Sequence, residues 1–343
     1  MGTRHGPDMT TNHSASIAVV IPAYKVRGQI MRVIDGIGDL VSKIYVIDDC
    51  CPDNSGALVT RECADPRVQV IRLPENLGVG GAVMAGYRAA IQDGMDIAVK
   101  IDGDGQMDPR DIASFVEPIL AGEADYTKGN RFFNLDGLDQ MPRVRLLGNA
   151  ALSFMSKLSS GYWDLFDPTN GYTAIHCEVA RHLPMEKISR RYFFESDMLF
   201  RLSTLRAVVV DVPMDAKYGD EVSNLKIGKV IGEFMAKHVR NFCKRVFYNY
   251  YLRDLSIASF ELPLGLAMLT FGIIFGAVEW LRSLNDHTPA SAGTVMLAGL
   301  PVILGLQFTL AFLSYDIGSV PRRPLHRRNL HRSVFRNEQG EKR

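Results

Sequence analysis

Three things are scarce in this chain, and each scarcity narrows what it can be. Its five cysteines, Cys50, Cys51, Cys63, Cys177 and Cys243, are odd in number and show no paired metal-ligand spacing. Cys50 and Cys51 are adjacent, a poor geometry for bridging each other. Reduced thiols in a cytosolic compartment are therefore expected. No apolar h-region interrupts the polar first sixteen residues, so no cleavable signal peptide is expected there and residues 1–16 read as a disordered tail. Charge of one sign is also scarce: the net charge is +1 and the mean hydropathy 0.00. That average conceals a polar first part and a strongly apolar segment near the C-terminus, the texture of a membrane-attached enzyme.

At 343 residues the chain has room for about two units. Strand-like apolar runs lie at Ile17 to Pro22, Lys43 to Asp48, Val68 to Leu73 and Ile97 to Ile101, with helix-compatible spacing between them, as at Gly81 to Asp93. Strand, helix, strand in repetition predicts an open α/β fold with a parallel sheet. Ligands in such sheets bind at the carboxyl ends of strands, and there stand Pro22, Asp48 with Asp49, and Asp102 with Asp104. Three strand ends are thus expected to converge on one nucleotide.

The run Val99 Lys100 Ile101 Asp102 Gly103 Asp104 Gly105 Gln106 Met107 Asp108 Pro109 reads as a metal-diphosphate site. Asp102, Asp104 and Gln106 are two apart, so an extended backbone puts their oxygens on one side, and hard oxygen donors suit Mg2+ or Mn2+. A Ca2+ loop of the EF-hand type lacks its Glu at position twelve, which here is Ala113. A solvated acidic turn is the other reading. Gly78 Val79 Gly80 Gly81 is no dinucleotide fingerprint either, because the third glycine of that pattern falls on Val83.

Beyond Asp211 the texture changes. Ile227, Val230, Ile231, Phe234, Met235, Phe242, Val246 and Phe247 recur at helical spacing among Lys229, Lys237, Arg240, Lys244 and Arg245. A basic, aromatic-rich amphipathic helix of this kind suits an anionic leaflet; an ordinary core-packing helix is the plainer alternative. Two apolar stretches follow, Ile257 to Leu281 and Thr294 to Tyr315, each longer than the ~20 residues that a bilayer core requires. Lysine and arginine crowd both outer flanks, while Arg282 to Gly293 between the stretches carries a single arginine. Both flanks are therefore expected on the cytoplasmic side of a transmembrane hairpin. The basic tail after it reads as an orientation signal rather than a nucleic-acid contact.

Taken in order, Ile21 Pro22 Ala23 Tyr24, Ile47 Asp48 Asp49, Asn76 Leu77 Gly78 Val79 Gly80 Gly81 Ala82 and Asp102 Gly103 Asp104 Gly105 Gln106 Met107 Asp108 Pro109 resemble the inverting family 2 glycosyltransferases. The resemblance is to the branch of dolichol-phosphate mannose synthase and bacterial polyprenyl-phosphate glycosyltransferases. It covers roughly residues 17–225, and the C-terminal hairpin is similar to that of members with two membrane helices. It implies a GT-A fold, Rossmann-like with a mostly parallel sheet, a nucleotide-sugar donor carrying UDP or GDP, a divalent metal and a polyprenyl-phosphate acceptor.

By that resemblance, Pro22, Tyr24, Asp48, Asp49, Asp102 and Gly103 would bind the donor, and Asp102, Asp104 and Gln106 the metal. Acceptor phosphate would fall to arginine forks at Arg131, Arg143 and Arg145. Lys217 stands in a segment that departs from the family's usual Arg-x-x-Gly-x-Ser-Lys pattern and would replace the arginine. Asp197 is the best match to the family's acidic helix-opening position, with Glu195 second, and Asp167 opens the Asp-x-x-x-Gly-aromatic turn. Asp197 or Asp167 would act as base or orienter, although an acceptor phosphate with a second pKa near 6 is already largely dianionic.

The organisation expected is thus a tail at 1–16, a catalytic domain at 17–225, an interfacial helix at 226–255, a transmembrane hairpin at 256–316 and a basic tail at 317–343. Catalytic domain and both termini would lie on the cytoplasmic face of the cytoplasmic membrane, and the hairpin could pack with copies of itself into a homo-oligomer. Two other readings are a processive polysaccharide synthase and a non-catalytic scaffold. Neither Trp163 nor Trp280 has the Gln-x-x-Arg-Trp context of the former.

Overall fold

Seven strands form one sheet in the order β3-β2-β1-β4-β6-β5-β7 in the computed structural model, which describes residues 15–133, 143–215 and 227–327. For residues 143–147 and 227–231 the backbone alone is described. The strands are β1 (Ile17–Ala23), β2 (Lys43–Asp48), β3 (Val68–Arg72), β4 (Ile97–Lys100), β5 (Tyr126–Asn130), β6 (Thr173–His176) and β7 (Val209–Pro213). Around them run α1 (Ile30–Asp35), α2 (Ser55–Glu62), α3 (Gly78–Gln92), α4 (Ile112–Leu120), α5 (Arg143–Ser160), α6 (Cys177–Arg181) and α7 (Phe194–Leu205). The sheet is mostly parallel and helix-covered, as the strand-helix repetition predicts.

Strand β1 is apolar on both faces because both are covered. Ile17, Val19 and Ile21 enter a core with α1 and α4, while Ala18 and Val20 enter a second core with α3, α6 and α7. Parallel pairing of β1 with β2 and β4 aligns Ala23 with Asp48 and Val20 with Lys100, so three carboxyl ends share one edge. β6 alone runs against both neighbours. Because it starts at that same edge, the loop before it arrives there too, as do the ends of β5 and β7. One edge of the sheet thus gathers residues from six segments.

Helix α8 (Ile227–Phe247) packs on α5 and α7 and passes through a π-turn at Tyr248–Arg253. Inward it buries His238, Asn241, Arg245 and Val246; outward it leaves Met235, Val239 and Phe247 exposed. The core-facing side is the more polar one.

Then come α9 (Ala258–Asn285) and α10 (Ala292–Gly318), both long and apolar enough to cross a membrane. They pack antiparallel and close: a Cβ at Gly265 would lie 2.7 Å from Thr309 Oγ1, and one at Gly272 2.7 Å from the Ala298 carbonyl. Small residues at the crossing allow the backbones to touch. Only 11% of each helix's most apolar window is buried, and Ile273, Ile274, Trp280, Leu281 and Ile303 stand at least 59% exposed. Helices of a soluble core would hide those side chains.

Two buried contacts tie this hairpin back to the sheet domain. Asp316, near the end of α10, accepts from both terminal nitrogens of Arg245 on α8 at 2.6 and 2.9 Å, and also from Tyr250 Oη and Trp163 Nε1. After α10 the chain returns, and Asp125 accepts from the backbone N–H groups of Leu325 and His326. So the start of the basic tail contacts the domain at Leu325 and His326; residues 328–343 lie outside the described residues.

Candidate active site

A cavity of about 310 Å3 opens at the shared strand edge. Pro22 at the end of β1 lines it with Tyr24 and Val26 just beyond, Asp49 after β2, and Asp102, Gly103 and Asp104 after β4. Asn76 comes from the loop before α3, Gly78 and Val79 from its start, and Arg191 with Tyr192 from the turn before α7. Of the six residues expected to bind a donor, five therefore line one cavity.

Asp48 is the sixth, and the structure does not bring it there. Its carboxylate accepts from the backbone N–H of Cys51 at 2.8 Å, stands 3.6 Å from Arg72 Nε and lies against Gly56, fastening the turn after β2. Asp49 points the other way and accepts from the N–H groups of Leu77 and Gly78 at 2.6 and 2.8 Å. The first turn of α3 is fixed by this carboxylate, with Gly78 at φ +76° where side chains are strained. Burial raises the Asp49 pKa above the ordinary range, against the lowering effect of those two N–H groups and of Arg191. Tyr24, 44% exposed, presents an open ring at the rim.

Behind the cavity floor lies a residue that the motif reading quoted without a role. Lys100 ends β4 with 1% exposure, its Nζ 2.9 Å from Asp102 Oδ1 and 3.8 Å from Glu195 Oε1. Burial pulls its pKa down, but the fields of Asp102 and Glu195 outweigh it and raise its pKa. Glu195 is itself pushed up by burial. The sequence signal was a lysine inside an otherwise apolar strand, since charge in a buried strand persists only when paired. Gly171 completes the arrangement: a Cβ there would lie 2.3 Å from Lys100 Nζ and 2.7 Å from Asp102 Oδ2. Arg191 and Tyr192, in a turn without periodicity, left no comparable signal.

Asp197, two residues beyond Glu195, faces elsewhere. It accepts from Ser189 N–H at 2.8 Å and from Asn241 Nδ2 of α8 at 3.1 Å. Helical periodicity separates the pair, for two residues are about 200° of rotation. Asp197 joins α7 to α8, and Glu195 faces Lys100.

At the neighbouring strand ends, Arg131 after β5 grips Asp167 through Nε and Nη2 at 2.7 and 2.8 Å. Asn170 Nδ2 also donates to Asp167 at 3.2 Å. Burial pushes the Asp167 carboxyl up, but Arg131 and then Lys128 outweigh it and hold it below the usual carboxylate range. Such a group is a weak base and a firm anchor for the Arg131 fork. Buried Lys128 stands 2.8 Å from Asp211 and donates to the carbonyls of Phe166 and Asp167, holding the loop that carries them. Arg143 and Arg145 lie in the first turn of α5 with side chains outside the described residues, and Lys217 lies outside them altogether.

Asp104 accepts from the backbone N–H of Gln106 at 2.9 Å; Gln106 is not among the cavity-lining residues. Among the described residues no three His, Cys, Asp or Glu side chains converge as a metal cage. Asp102 and Asp104 nonetheless fit one kind of cation. Mg2+ is commonly held by one or two carboxylates, with substrate phosphate oxygens and water completing its shell.

Residues 18–183 match the family described as Glycosyl transferase family 2. The chain carries a domain of that family and is a glycosyltransferase. Similar curated proteins include an undecaprenyl-phosphate mannosyltransferase of Micrococcus luteus, 28% identical over 65% of this chain and 93% of that protein. A UDP-N-acetylglucosamine–dolichyl-phosphate N-acetylglucosaminyltransferase of Methanococcus voltae is 29% identical over 59% of this chain and 86% of its own length. Among solved structures, glucosyl-3-phosphoglycerate synthase of Mycobacterium tuberculosis, in complex with Mn2+, UDP-glucose and phosphoglyceric acid, superposes with a TM-score of 0.51. It is 20% identical over 71% of this chain and 86% of its own, a likeness of fold.

Proposed function

We propose that this glycosyltransferase moves a single sugar from a nucleotide-sugar donor to the phosphate of a polyprenyl phosphate, with inversion, at the cytoplasmic face of a membrane. The observation that carries the reading is the coupling of two features in one chain: a cavity at the strand ends lined by the carboxylates of Asp49, Asp102 and Asp104, and an apolar hairpin tied to the same domain through Asp316 and Arg245. The named activities of the Micrococcus and Methanococcus relatives support the same substrate classes.

In this reading Asp49 and the start of α3 receive the nucleoside, with the Tyr24 ring beside it. Asp102 and Asp104 would hold a divalent cation, which would neutralise charge growing on the departing diphosphate. Lys100 fixes Asp102 and is held in turn by Glu195, so that Glu195 is a positioning residue. Arg131, braced by Asp167, addresses the acceptor phosphate. An oxygen of that phosphate attacks the anomeric carbon from the face opposite the leaving group; its bond to carbon forms as the sugar–diphosphate bond breaks. The attacking oxygen already carries charge near pH 7. Orientation and leaving-group stabilisation therefore supply most of the barrier reduction, and no strong base is required. Helix α8, with Met235, Val239 and Phe247 turned outward, lies at the membrane surface.

Purified full-length protein with Mn2+, a panel of UDP- and GDP-sugars and undecaprenyl phosphate should yield a glycolipid bearing one sugar. Asp104→Ala should abolish it. No product across the panel would sink the proposal, and chains of several sugars would favour a processive synthase. Loss of cellular glycan on deletion of the protein but not with Asp104→Ala would favour a scaffold.

A further inference from the structure

A second cavity, about 290 Å3 and lined largely by polar groups, lies where the hairpin meets the domain. Arg206, in the left-handed residue that ends α7 (φ +62°), and Arg253, at the end of the π-turn, line it from different elements. Ser203, Asn249, Tyr315 and Ser319 add hydroxyl and amide groups.

Three arginines and two aspartates face this space, but one pair is already closed. Arg245 and Asp316 are each spent on the buried contact that anchors α10. Exposed Asp254 also lines the cleft. Among the described residues neither Arg206 nor Arg253 pairs with a carboxylate. Arg206 donates to the Ser319 carbonyl at 3.1 Å; Arg253 donates to the Thr204 carbonyl and, at 3.4 Å, to Asn249 Oδ1. A guanidinium has five N–H donors, more than these carbonyl and amide contacts use. Partial burial, and after it the charge of Arg206, lower the pKa of Arg253.

Position then selects the anion. Arg253 lies five residues before α9, and Tyr315, Asp316 and Ser319 lie at the end of α10, so the cleft opens at the level where a spanning hairpin would leave the bilayer. The reacting phosphate is a poor candidate. Helix α7, 12 residues or roughly 18 Å long, separates Arg206 from the Glu195 end that faces the active-site cavity. We propose that Arg206 and Arg253 form a site for the phosphodiester headgroup of an anionic membrane phospholipid, with arginine forks on the phosphate oxygens and the surrounding hydroxyls on the headgroup's polar end. The volume suits a headgroup rather than a whole lipid. The proposal rests on the hairpin spanning the membrane, but its test does not read sugar transfer and so fails or succeeds apart from the assignment of substrates.

The full-length protein, purified and delipidated in neutral detergent, is titrated with phosphatidylglycerol, with phosphatidylcholine or with inorganic phosphate, and thermal unfolding is followed. Phosphatidylglycerol should raise Tm saturably, and the Arg206→Gln/Arg253→Gln double variant should weaken its apparent affinity about tenfold or more while the lipid-free Tm stays within a few degrees. If that variant does not fold, Arg206→Lys and Arg253→Lys, which keep charge but lose the fork, should each weaken the response. An equal response to phosphatidylcholine would overturn selection for an anionic headgroup. A full response to inorganic phosphate would overturn the lipid source, and unchanged affinity in the variants would overturn the site.

Discussion

Glu195 and Asp197 show how two like residues acquire unlike tasks from a helix's rotation. Sequence similarity pointed first to Asp197, but its carboxylate is taken up by Ser189 N–H and Asn241, while Glu195 stands 3.8 Å from the Lys100 ammonium. The two should therefore separate in experiment. Glu195→Gln should lower kcat by about tenfold, or ~1.4 kcal/mol of transition-state stabilisation, with Tm nearly unchanged. Asp197→Ala should leave buried donors unpaired, costing about 1–3 kcal/mol of stability, with kcat per folded molecule nearly unchanged. Steady-state kinetics beside thermal unfolding checks both, and the reverse pattern would return the active role to Asp197. Asp48 and Asp49 part company in the same manner, since successive residues at a strand end point to opposite sides.

At the scale of the element, α8 carries a group whose burial makes the fold sensitive to acid. His238 is 3% exposed, shares a hydrogen bond with Ser159 of α5 at 2.8 Å and packs edge-on to Phe193. Burial pulls its pKa down from 6.5 to about 4. An unfolded chain would bind a proton at this imidazole between those two values while the folded chain does not. Stability is therefore whole above pH 6.5 and declines as the pH falls from 6.5 toward 4, by at most about 1.4 kcal/mol per pH unit from this residue. Thermal unfolding from pH 7 to 5 should show the decline, and His238→Gln should flatten it; an equal slope in that variant would remove His238 as a cause. Strands β1 to β4 were readable because apolar runs alternate with helical spacing. β5 was not, because Thr127, Lys128 and Asn130 are buried in it and its partners are the Phe115 carbonyl, Asp211 and residues near Asp167. A polar strand satisfied by distant groups has no local signature.

Over the whole molecule, the apolar hairpin is joined to the sheet domain by charged groups buried between them. Arg245 and Asp316 have side chains 2% exposed, and Tyr250 and Trp163 share the same carboxylate. Removing one partner leaves the other charge without compensation, so Asp316→Ala should cost about 3–5 kcal/mol. A matched Arg245→Met/Asp316→Leu double variant should recover much of that loss, as read by unfolding of the detergent-purified protein; equal losses in single and double variants would show that the ion pair itself is not what is lost. Sequence by itself determined the alternation of β1 to β4 with the helices between them, the strand ends that bear Pro22, Asp49, Asp102 and Asp104, and the two apolar spans, because all of these follow from periodicity and run length along the chain. Only tertiary structure decided which carboxylates are spent: Asp48 on a turn, Asp167 on Arg131, Asp197 on α8 and Asp316 on Arg245. Those partners lie 3 to 71 residues away in sequence, and a carboxylate's role is set by whichever donors the fold brings within about 3 Å of it.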